Sequence, residues 1–202
     1  LMTVAVAVGL PSPLLPIHLL WINLVTDGLP ALCLAGDPID HDVMKRLPRR
    51  RSDRITDGAF LRDMFLTGFL TAAVSFVTYL YVLKTGNLEM ARASAFTVLV
   101  FAELLRSFGA RSETKPIWHI PFFSNRNLVI VVALSIGLQV WSQHNSILGG
   151  FLKTPPIPLM DCLVFLAMGA IPMLVLELVK TMRHARPPGP APDMSSAEPK
   201  AA

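Results

Sequence analysis

Within the oily run LLWINLVTDGLPALCL, residues 19–34, stand three oxygen-bearing side chains: Asn23, Thr26 and Asp27. Helical spacing of i, i+3 and i+4 puts them within one arc of about 100° on a helix face. An amide, a hydroxyl and a carboxylate grouped this way suit a hard cation such as Ca2+, which takes about six to eight oxygen ligands, whereas softer metals favour sulfur or imidazole. An ionised carboxylate at the centre of a bilayer costs about 2.5 to 3.5 kcal/mol on insertion scales, so Asp27 must face the protein interior and have a partner. That partner can be a cation. The other use of such side chains is a hydrogen-bond network between helices.

Gly28 and Pro30 follow directly. Pro30 has no N–H for the carbonyl of Thr26 and its ring crowds that turn, while Gly28 tolerates angles outside the helix, so a kink or an unwound turn is expected here. Carbonyls freed at membrane depth are tolerated where they line a cavity or bind an ion. Glu103, in FTVLVFAELLRSFGARSE, is a second acid inside an apolar run, and it can either lean toward the same cavity or pair with Arg106 at i+3. Asp161 and Glu177 lie near the two ends of the last apolar run, where capping, dipole and local pairing with Lys180 account for them. Cys33 and Cys162 read as buried thiols, and the five His form no short-spaced cluster, which argues against a transition-metal site.

These residues need elements to hold them. The 202 residues are 52% hydrophobic and 16% charged, with a mean hydropathy of +0.53, too apolar for a soluble domain. A bilayer core about 30 Å thick takes roughly 20 apolar residues of helix, and backbone groups in lipid are satisfied only by helices or closed barrels. The runs are long and continuous, so the expected fold is an all-α membrane protein, a bundle of five full transmembrane helices over about 14–36, 64–83, 91–108, 128–147 and 157–179. Residues 1–10 are apolar but too short to cross, and they read as the end of a further helix rather than as a signal peptide. Segments on one side of this arrangement carry fifteen Lys or Arg against three on the other. By the positive-inside rule the rich side is cytoplasmic, which places the C-terminus there. Residues 185–202, rich in Pro and small residues, are expected to be a disordered tail, and the basic segment 45–54 a solvated loop near anionic lipid.

The stretch LLPIHLLWINLVTDGLPALCLAGDPIDHDVMKRLPRR closely resembles the sixth transmembrane helix and following cytoplasmic loop of P-type calcium ATPases of the sarco/endoplasmic-reticulum, secretory-pathway and bacterial kind. Glu103 in TVLVFAELLRSFGARSE stands where that family often has an acidic ligand for a second ion. The resemblance implies that residues 1–184 form the C-terminal transport domain, the end of helix five through helix ten, and that Asn23, Thr26, Asp27 and Glu103 are ligands of transported Ca2+, with Mn2+ as another oxygen-loving cargo. A fixed charge at Arg106 would weaken or replace a second ion. It also implies that the loop 37–54, with Asp40 and Asp42, meets the phosphorylation domain, and that access to the site alternates as phosphorylation moves the first helices.

The family's Asp-Lys-Thr-Gly-Thr and Thr-Gly-Glu motifs do not occur in the chain. Mg2+ and ATP would therefore act only through catalytic domains outside it, and this segment alone is expected to be inactive. The partners so implied are the lipid bilayer and the remaining N-terminal and catalytic part of a pump, with no nucleic acid, in what is expected to be a bacterial plasma membrane. The alternative is a stand-alone, non-catalytic membrane protein that binds cations or assembles with a separate catalytic chain.

Overall fold

The computed structural model describes residues 1–38, 58–112 and 116–184, and all regular structure among them is helical. A short α1 (Met2–Ala7) ends in a turn at Gly9, whose φ of +75° favours glycine. Next comes a rod in three parts: α2 (Pro16–Trp21), a π-helical segment (Ile22–Gly28) and α3 (Leu29–Ala35). Pro16 opens α2, where its missing N–H is not needed. Two long helices follow, α4 (Gly58–Leu83) and α5 (Leu88–Gly109), joined by a turn at Gly86 with φ of +82°. Two short 3-10 turns lead to α6 (Arg126–His144), α7 (Ser146–Leu152) and α8 (Leu159–His184). Asparagines start three of these helices, each accepting first-turn N–H groups: Asn87 from Met90, Asn125 from Leu128, and Asn145 from Ile147 and Leu148.

Four stretches are long and apolar enough to cross a membrane: 16–35, 60–83, 126–144 and 159–183. The fifth expected span falls on α5, whose 22 residues reach about 33 Å but include Glu89, Arg92, Glu103 and Arg106. Protein rather than lipid surrounds it, because α5 packs against α4, α8, α6, the π segment and α3. That enclosure relaxes the demand for an apolar surface. Exposed Phe65, Phe69 and Tyr81 on α4, with Leu163, Leu174 and Met182 on α8, make the outward faces oily in the manner of a lipid boundary. The chain is a multi-pass helical membrane protein.

Small residues allow the close packing around α5. Ala91, Ala93, Ser94, Ala95, Thr97 and Ala102 are buried along it, and the Ser94 and Thr97 hydroxyls bond back to the carbonyls of Met90 and Ala93. Gly169 of α8 lies so near that a Cβ there would come within 2.9 Å of both the Ala102 nitrogen and the Phe101 Cβ. Such contact between small residues supplies van der Waals attraction where lipid removes the hydrophobic drive. A larger apolar core of Leu14, Ile22, Phe96, Val100, Leu104, Leu128 and Leu152 ties the rod to α5, α6 and α7.

Two expectations change here. The rod is not unwound at Gly28, whose φ of −66° and ψ of −54° are right-handed helical; the chain widens into a π turn instead. The sixth helix also stops earlier than its hydropathy implied, at His144, because Asn145 leaves the helix and starts α7. The tail 185–202, the basic segment 45–54, Asp40 and Asp42 lie outside the described residues.

Candidate cation site

The proline explains the form of the rod. Pro30 can donate to neither the i−4 nor the i−5 carbonyl, so the turn before it loses a hydrogen bond in either register. A π turn is one way to redistribute the remaining bonds without leaving the helix, and single π turns recur at functional positions. Ile22, Val25 and Thr26 face the bundle and are buried, whereas Asn23, Asp27 and Gly28 are exposed. Thr26 holds the two sides together: its hydroxyl lies 2.6 Å from the Ile22 carbonyl and 3.5 Å from Asp27 Oδ1. Among the described residues that hydroxyl is the only side chain within hydrogen-bonding reach of Asp27, and none reaches the Asn23 amide. Two oxygen donors of the three thus point out of the bundle with coordination capacity to spare, which corrects the expectation that Asp27 faces the interior of this chain: only Thr26 does.

Glu103 is placed differently. It sits nearly two turns before the C-terminal end of α5, half-buried, and Arg106 donates to its Oε2 from both Nε, at 2.9 Å, and Nη2. The i+3 pairing therefore occupies this carboxylate. No group of three or more His, Cys, Asp or Glu able to hold a metal occurs among the described residues. Glu177 also pairs with Lys180 as its spacing suggested, at 2.8 Å, while Cys162 is buried and Cys33 only half-buried, both as free thiols.

Both ends of the rod are pinned to the bundle by contacts that spacing alone did not reveal. Toward its N-terminal end, Trp21 Nε1 donates to Gln139 Oε1 at 2.8 Å. The fully buried His18 stacks on Phe96 with ring centroids 4.3 Å apart. Its Nδ1 accepts from the Leu15 N–H, which leaves Nε2–H to donate to the Leu152 carbonyl at 2.8 Å. At its C-terminal end, Asn125 Nδ2 donates to the Cys33 carbonyl at 2.9 Å and to Asp37 Oδ1 at 3.0 Å. Arg111 grips the same carboxylate with two N–H groups, at 3.0 and 3.1 Å. The segment after α5 is fixed in turn by α8: Lys180 Nζ donates to the carbonyls of Gly109 and Ser112, and Glu177 accepts from the Ile117 N–H.

The family described as cation transporting ATPase, C-terminus, matches residues 11–182. Among curated proteins, the calcium-transporting ATPase of Bacillus subtilis (strain 168) is 36% identical over 181 residues, which cover 87% of this chain and 20% of that protein. Calcium-transporting ATPase 1 of Bacillus cereus is 32% identical, covering 87% of this chain and 22% of the other. The mouse calcium-transporting ATPase type 2C member 2 is 30% identical, covering 93% and 20%. The chain thus spans about a fifth of the length of these relatives.

Proposed function

The chain belongs to the family of cation-transporting ATPase C-terminal regions, and on that premise we propose that it is the transport domain of an ATP-driven pump whose cargo is Ca2+, bound in part by Asn23, Thr26 and Asp27. The observation that carries this reading is the π segment. It holds a carboxylate and an amide outward from a bundle whose other described acids are paired or near helix ends, beside a proline that leaves backbone oxygen short of donors. Hard oxygen donors at membrane depth suit Ca2+ and, on chemistry alone, Mn2+; the names of the relatives favour Ca2+.

Further ligands would reach the cation from helices seated on the exposed face of the rod, in a part of the pump outside this chain. Glu103 contributes little in this reading, because Arg106 already pairs with it, so the ligands this chain supplies are those of the π segment. The inner ends, with the C-terminus, face the cytoplasm, as the distribution of Lys and Arg indicates. Coupling to ATP and Mg2+ is assigned to the catalytic part.

The test is Asp27→Asn in a pump that carries this chain. The substitution keeps size and removes the charge, and Ca2+-dependent phosphorylation from ATP is expected to vanish. Phosphorylation with unaltered Ca2+ dependence overturns the assignment.

A further inference from the structure

The inner end of the rod is held by a cluster for which cation binding has no direct use. Asp37, two residues beyond α3, receives three N–H groups: Arg111 Nε at 3.1 Å on Oδ2, and Arg111 Nη2 and Asn125 Nδ2, both at 3.0 Å, on Oδ1. The Arg111 side chain is only 4% exposed, and its guanidinium also reaches the Pro121 carbonyl at 3.3 Å and the Ser124 hydroxyl. Asn125 spends its amide on the Cys33 carbonyl, one of the last in α3 that lack an intrahelical donor, and its oxygen on the first turn of α6. The cluster therefore joins α3, the end of α5 and the start of α6 at one carboxylate. Lys180 and Glu177 fasten the same connection to α8, so the anchor is a packed block rather than a loose loop.

We infer that Arg111 is a positioning residue for Asp27: by fixing Asp37 it sets the height and rotation of α3, and through that helix the direction in which the π segment presents its carboxylate. Asp27 lies ten residues from Asp37, about 15 Å along a helix, and the α3 turns between them transmit a shift where a loop would absorb it. The two parallel N–H bonds define an orientation as well as an attraction, which a lysine ammonium does not supply. The positioning role rests on the proposed cation site, while the restraint on the rod is a property of this chain alone.

Two measurements separate these. In the 202-residue chain in lipid nanodiscs, amide hydrogen exchange is followed for wild type, Arg111→Gln and Arg111→Lys. Both variants are expected to raise exchange across residues 22–29 by about tenfold while α8 keeps its protection. A rise confined to residues 108–125, or one spread evenly over all helices, overturns the inference. In a pump carrying the chain, Arg111→Lys is expected to raise the Ca2+ concentration for half-maximal phosphorylation by about tenfold and leave the maximal level unchanged. An unchanged half-maximal concentration overturns the positioning role. Ca2+ dependence that survives Asp27→Asn overturns the cation-site reading instead, and the exchange result still stands or falls on its own.

Discussion

At the scale of single residues, the two acids inside apolar helices have opposite fates. Among the described residues Asp27 has only a hydroxyl beside it, at 3.5 Å, whereas Glu103 is doubly held by Arg106. A carboxylate whose charge is already balanced has little to gain from a cation, so Glu103→Gln in the proposed pump is expected to shift Ca2+ affinity by less than about tenfold, or 1.4 kcal/mol. Ca2+-dependent phosphorylation assays across a calcium titration check this, and a loss as complete as that expected for Asp27→Asn would return Glu103 to the site. The sequence made the polar patch legible because three oxygen donors in an apolar run have few other uses. It left Glu103 with two readings, since the spacing to Arg106 permits pairing without requiring it. Arg111 was legible only as one more cytoplasmic charge. Its partner Asp37 lies 74 residues away, and no local pattern reports a contact of that range.

At the scale of elements, proline chemistry foretold a disturbed turn but not its form. Unwinding and π-widening both answer a missing N–H, and packing decides between them. With Ile22, Val25 and Thr26 buried against the bundle, leaving the helix would pull three side chains out of contact, whereas a π turn keeps them in place. The crossing of α5 and α8 is the converse case, invisible in hydropathy and explicit in space. Gly169 has no room for a methyl group, since its neighbours at 2.9 Å include main-chain nitrogen, which cannot rotate away as a side chain does. Gly169→Ala is therefore expected to destabilise the chain by about 1 to 3 kcal/mol. Gly68→Ala, on α4 with nothing within 4 Å of a new Cβ, is the control, expected to be neutral or stabilising by up to about 1 kcal/mol. Thermal unfolding in detergent reads both, and equal stability of the two variants would mean that the α5–α8 contact is looser than described.

At the scale of the whole molecule, the helical membrane fold was legible because lipid leaves the backbone so few choices, and long apolar runs declare themselves. What hydropathy could not show is that one helix, α5, is the hub and is shielded by the others. Its charges are tolerable because Glu103 meets Arg106 within the helix and Arg92 Nε donates to the Ser12 carbonyl across the bundle. If α5 crosses the membrane, two passes, α5 and α6, separate the turn near Lys84 from the loop near Lys153, and both must lie on the same side. If α5 does not cross, they lie on opposite sides. Single cysteines at Lys84→Cys and Lys153→Cys, in a background with Cys33→Ala and Cys162→Ser, are expected to react together with a membrane-impermeant thiol reagent added outside intact cells. Trp118→Cys, in the segment linking α5 to α6 and exposed at its end of the bundle, should react only after the membrane is opened. Labelling of Lys84→Cys and Lys153→Cys from opposite faces would remove α5 from the set of spans. It would also take the Arg111 anchor away from the C-terminal end of the rod, because the same crossing places the end of α5 beside Asp37.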